Sequence, residues 1–105
     1  MNYINSIIRI LEVPPLKSKS NILNIQFRAQ LPYLRNKTEY PIIVNCNIWG
    51  ELTYDLVNYY HINDYALIEG NISISNSIEN QRVITTYNLN IIKLHPFLFT
   101  VKLID

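Results

Sequence analysis

The sequence predicts an all-β barrel of five short strands, with one short helix between the third and fourth strands and an extra apolar strand at the C-terminal end. Three observations lead there: runs in which apolar and polar residues alternate, a corner at Trp49-Gly50 followed by a helical stripe, and a glycine, Gly70, inside a strand. A chain of 105 residues with about half of them apolar can bury one modest core, so one domain is expected. Its expected extent is residues 1–95, followed by an apolar extension over 96–105.

Tyr3 to Glu12 is rich in β-branched residues and stops at Val13-Pro14-Pro15, where two prolines forbid further ladder pairing; this is the first strand and its turn. Lys17 to Asn21 is a polar loop. Ile22 to Leu31 alternates, with Ile25, Phe27, Ala29 and Leu31 on one face and Asn24, Gln26, Arg28 and Gln30 on the other, as a half-buried strand requires. Pro32 to Tyr40 is a second polar loop. Ile42 to Trp49 alternates again. Ile42, Val44, Cys46 and Ile48 make the better core face, because burying Asn45 and Asn47 without partners is costly. Ile43, Asn45, Asn47 and Trp49 therefore face outward. Gly50 releases the chain into a helix over Glu51 to Tyr60, with Leu52, Leu56 and either Tyr59 or Tyr60 as its apolar stripe. Asn63-Asp64 is a turn. Tyr65 to Ser75 is the fourth strand, with Gly70 marking a bulge or tight bend. Asn76 to Gln81 reads as a hairpin loop and Arg82 to Leu94 as the fifth strand. This order is that of the OB-fold, a small Greek-key barrel. After Pro96, the segment Phe97 to Ile104 is apolar on both faces and must pack on its own barrel or on another chain.

Composition narrows the function. The net charge is +1 and the nine Lys and Arg are scattered, so no basic stripe exists to capture nucleic acid by charge alone. One cysteine, Cys46, excludes an intrachain disulfide, and neither His61 nor His95 has ligand-like companions in sequence, so no metal is expected. Paired carboxylates, Cys-His or Ser-His-Asp sets and phosphate loops are all missing, which argues against an enzyme, a cofactor or a small-molecule substrate. No run is long and apolar enough to span a bilayer, and the first residues lack a basic region followed by an apolar block.

The central residues carry a resemblance. Ile48-Trp49-Gly50-Glu51-Leu52, then Tyr59, then Leu67-Ile68-Glu69-Gly70-Asn71-Ile72 resemble, without a gap from Ile42 to Ile72, the signature of bacterial-type single-stranded DNA-binding proteins. Pro15-Leu16-Lys17, Asn24-Ile25-Gln26-Phe27 and Ile84-Thr85-Thr86 agree more loosely. Heavy use of Ile, Asn and Tyr with few Gly is a bias expected of an AT-rich genome such as a plastid's. With the short length, it makes the chain look most like the small plastid-encoded relatives of algae. The resemblance implies an OB-fold, single-stranded DNA as partner, a role in replication or DNA maintenance, and homo-oligomers. At Trp49 it implies an aromatic ring stacked on a base.

The physics of the strand face agrees with that role, since an exposed ring offers a π-surface any base can use. Asn45 and Asn47 share its face and can bond phosphate or base edges; Arg28 on the next strand can meet a phosphate. Tyr33, Arg35 and Lys37 in the second loop can clamp a strand. The chain also departs from the family. The second stacking position falls on Ile43, the hairpin aromatic falls near Ser77, and the hairpin's basic positions hold Ser73, Ser75 and Asn76, which predicts weak binding with a flat salt dependence. Trp49 is thus either a stacking platform or a ring covered by the helix, the tail or a partner. Tyr54, Tyr59, Tyr60 and Tyr87 are read as packing residues, and Cys46 and the histidines as structural. The alternative function is a structural or accessory subunit of a larger assembly, docking through Phe97, Phe99, Val101 and Leu103.

Overall fold

Alternation becomes architecture in the computed structural model, which describes residues 2–15, 24–31 and 42–97. The strands are β1 (Asn2–Ile10), β2 (Asn24–Leu31), β3 (Ile42–Trp49), β4 (Tyr65–Glu79) and β5 (Arg82–Pro96), with helix α1 (Glu51–Tyr59) between β3 and β4. They close in the order β1-β2-β3-β5-β4. Only β3 and β5 run parallel, Asn45 beside Asn88 and Asn47 beside Asn90. The ring is completed where β1 meets β4 antiparallel, from Asn2↔Ile72 to Arg9↔Tyr65. The expected five-stranded barrel with its helix is thus what forms.

The inward faces of β2 and β3 are those the alternation assigns. Phe27 and Ala29 from β2, Val44, Cys46 and Ile48 from β3, Ile68 from β4 and Leu89 from β5 meet in one buried cluster. Burial drives the Cys46 thiol up to about 12, so it is a packing residue with almost no thiolate near neutrality. Leu56 and Thr53 of α1 are fully buried, and Thr53 Oγ1 donates to the Gly50 carbonyl at 2.6 Å. Of the two tyrosines competing for the apolar stripe, Tyr60 is the buried one (6 % exposed) and Tyr59 the open one (73 %). A nine-residue helix can turn only one face to a barrel, so Tyr54 and Tyr59 point away, contrary to a packing role. His61 and His95 lie at the surface.

Gly50 makes the corner with φ 67° and ψ −138°, a region essentially reserved for glycine. Gly70 marks the bulge. The ladder jumps from Glu69↔Lys93 to Gly70↔Ile91, which leaves Ile92 of β5 as the extra, unmatched residue. A β-carbon on Gly70 would fall on the backbone carbonyl of Asn90, so the two strands can approach there only because the side chain is missing.

The hairpin differs from expectation. Asn76 to Glu79 is paired strand, and the turn is the dipeptide Asn80-Gln81, both at positive φ (50° and 65°), between Glu79↔Arg82. Polar composition suggested a loop, but backbone ladders need no apolar side chains, and this ribbon projects into solvent on both faces. At the other end β5 runs through Pro96, and the Phe97 amide donates to the Tyr65 carbonyl at 3.1 Å. The remainder of the expected sixth strand, 98–105, lies outside the described residues. No described helix is long and apolar enough to cross a membrane.

Candidate nucleic-acid interface

Because β3 alternates, its outward residues Ile43, Asn45, Asn47 and Trp49 form a line, and the ladder on either side extends that line into rows. One row crosses four strands as Gln26, Asn47, Asn90 and Asn71. The next crosses as Arg28, Asn45, Asn88 and Ser73. Together they line an open groove of about 680 Å³ whose floor is the sheet itself. Asn47 is partly shielded in this setting, and its Oδ1 is buried without a hydrogen-bond partner among the described residues. Trp49 stands at the end of the same face, opposite Asn24 and 48 % exposed. Two residues along a strand span about 7 Å, so its ring lies one residue pair beyond Asn47. Within the described residues about half of Trp49 stays open to solvent.

Charge on this face is largely cancelled. The Arg28 backbone amide donates to Glu12 Oε1 at 2.8 Å, and the guanidinium Nη2 donates to Oε2 at 3.3 Å, with Nε 3.2 Å from Oε1. The side-chain hydrogen bond from Arg28, followed by that from its backbone amide, holds the Glu12 carboxyl below the usual range. Farther along, Lys93 Nζ lies 3.3 Å from Glu69 Oε2. The hydroxyl of Tyr3 and then Lys93 bond the Glu69 carboxylate and keep it ionised, while burial and that carboxylate raise Tyr3. The second groove, lined by Asp55, Tyr59, Tyr60 and Asp64 among others, carries two acidic side chains and is the wrong sign for a phosphate backbone.

Of the residues expected at the site, Trp49, Asn45, Asn47 and Arg28 lie on one face, and Arg28 is engaged by Glu12. Tyr33, Arg35 and Lys37 lie outside the described residues, as do Phe99, Val101 and Leu103; Phe97 is half-buried. Sequence reasoning missed Asn71, Ser73, Asn88 and Asn90. The signal was present as Asn88-x-Asn90, the same two-residue spacing as Asn45-x-Asn47, but pairing β3 with β5 is what joins them.

This barrel, with a base-sized aromatic and a polar groove on one outer face, has the architecture of single-stranded DNA-binding OB domains. Two solved structures share its fold. The small single-stranded DNA-binding protein of Streptomyces coelicolor superimposes with a TM-score of 0.72 at 12% identity, over 93% of this chain and 97% of the other. The SSB domain of a Synechococcus protein gives 0.65 at 18% identity, over 90% and 94%. In sequence, the chain is 33% identical over 102 residues to the "Putative single-stranded DNA-binding protein ycf41" of Trieres chinensis, covering 93% of this chain and 90% of that one. The chain belongs to this ycf41-type family of single-stranded DNA-binding proteins. No protein-family model matches it. Membership agrees with the expectation of a binding protein over an enzyme.

Proposed function

We propose that this protein binds single-stranded DNA without sequence preference on the outer face of β2, β3 and β5, in the service of plastid DNA replication or maintenance. The observation that carries the reading is Trp49, half exposed at the end of a face that also presents Asn45 and Asn47. A base stacked there gains about 1–3 kcal/mol whatever its identity. Asn45 and Asn47 bond the strand beside it, and Tyr33, Arg35 and Lys37, which lie outside the described residues, are kept as further contacts on their residue types alone. Arg28 supplies a phosphate contact once it leaves Glu12, an exposed pair whose separation costs little. An algal ycf41 relative and an Ile-, Asn- and Tyr-rich composition support a plastid setting.

The Glu12 pair makes this testable by anisotropy with labelled oligo-dT across a salt series. Saturable binding is expected, and Glu12→Gln should tighten it several-fold and steepen the plot of log K against log salt by about 0.7, the value of one added phosphate contact on a single strand. No binding by either protein at low salt contradicts the reading. Failure of the variant to differ from wild type removes Arg28 from the site.

One observation also supports an oligomer or a partner subunit. On the projecting hairpin, Ile78 and Val83 face each other across the ladder at 79 % and 68 % exposure, with Ile74 exposed nearby. Such a patch is poorly suited to water. Light scattering should give a mass above one chain that falls in Ile78→Asp, and a wild-type monomer at high concentration would remove this second element.

A further inference from the structure

We infer that the amide rows Gln26-Asn47-Asn90-Asn71 and Asn45-Asn88 are a site for the hydrogen-bonding edges of bases, so that the strand lies with its bases turned into the groove. The inference rests on the single-stranded DNA reading and adds to it which part of the nucleotide this face takes.

The argument starts from what each partner can offer. A phosphate has acceptor oxygens and no proton to donate. A carboxamide has two N–H donors and an acceptor oxygen, and a base edge carries both kinds of group. Neutral donors such as Asn and Gln can also hold a phosphate, but such a contact uses only their N–H groups and leaves the carboxamide oxygens unused. Here the rows hold carboxamides from β2, β3, β5 and β4 side by side, and one charged residue, Arg28, is occupied by Glu12. Strands in a sheet stand about 4.8 Å apart, so adjacent amides across the ladder can grip one planar edge between them.

Asn47 adds the specific indication. Among the described residues its Oδ1 is closed off from solvent and lacks a partner, the kind of buried acceptor that native structures rarely leave unmet, and rotation of the carboxamide turns it into the groove that Asn47 lines. A phosphate cannot supply the missing proton, whereas the imino group of thymine or guanine and the amino groups of the other bases can. Turning the amide over exchanges the roles of its two ends, and a partner that both donates and accepts still fits. Since a carboxamide can present either group, the rows accept any base while rewarding an edge that hydrogen-bonds. Trp49 at the end of the same line takes the π-face of a neighbouring base, so stacking and edge contacts divide the work along β3.

Two oligomers separate edge contacts from stacking and from charge: oligo-dT and an oligomer of N3-methylthymidine, which keeps the ring face and the backbone and loses the imino proton. Wild-type protein should bind the methylated strand about two- to tenfold more weakly, the range of one net hydrogen bond. Asn47→Leu with Asn90→Leu should weaken oligo-dT by a similar factor, abolish the discrimination between the two strands and leave the salt slope unchanged. Thermal unfolding of the double variant checks that its barrel is intact, and Asn47→Gln, which restores a carboxamide, should recover part of the discrimination. Wild-type binding that ignores the methyl group, or a double variant whose salt slope falls as for a lost phosphate contact, overturns this inference while leaving DNA binding standing. Failure of wild type to bind either strand overturns both.

Discussion

Replacing Trp49 by alanine should weaken binding to oligo-dT by about fivefold to a hundredfold, since a stacked base contributes about 1–3 kcal/mol and 1.4 kcal/mol is a factor of ten. Trp49→Phe should retain most of the affinity, because a smaller ring still stacks. Stability is expected to stay within about 0.5 kcal/mol of wild type, as at other exposed positions; the indole is half in solvent and its strand neighbours Ile48 and Asn47 keep their pairing with β2. The combination is diagnostic. A ring serving the fold would lose stability on truncation, and a ring buried against a second subunit would change the mass of the particle before it changed DNA affinity. Unaltered affinity in Trp49→Ala takes the platform away from β3.

Gly70→Ala should destabilise the barrel by about 1–3 kcal/mol, the range for forcing an extra carbon into a packed site. The added β-carbon collides with the Asn90 carbonyl, a backbone atom that can move only with β5. Either the ladder between β4 and β5 opens at the bulge or Asn90 and Asn71 shift together. DNA binding should then fall along with the denaturation midpoint, whereas Trp49→Ala separates the two. Urea unfolding followed by circular dichroism provides the test, and an unchanged midpoint would mean the strands are not in close approach at Gly70.

These two residues also mark what a sequence can disclose. β3 was legible to the residue because apolar and polar positions alternate without a break, and the same alternation placed Trp49, Asn45 and Asn47 outward. Gly70 announced an irregularity, since a glycine inside a strand has few other uses, but the extra residue, Ile92, is on the other strand and only the register shows it. The hairpin was misread for a physical reason: Asn76, Ser77, Glu79 and Asn80 have the composition of a loop, yet a ribbon wet on both sides has no buried face to impose apolar alternation. Tyr59 and Tyr60 are neighbours that a stripe could use equally, and the extended backbone at Tyr60 turns that ring inward.

The candidate site was legible only in part, because it is assembled across the sheet. Asn45 and Asn88 are 43 positions apart in number and become neighbours through the parallel pairing of β3 with β5. Arg28 reads as a free cation, while the chain after β1 brings Glu12 against both its guanidinium and its backbone amide. Family resemblance supplied the barrel and the aromatic position. It offered nothing about the amide rows.

The most direct test of the account uses the intrinsic fluorescence of Trp49, the single tryptophan of the chain. Oligo-dT titrated at low salt should quench its emission saturably, because base stacking places a nucleobase against the indole that marks the face. Emission unchanged by excess oligo-dT with micromolar protein would contradict single-stranded DNA binding on this face.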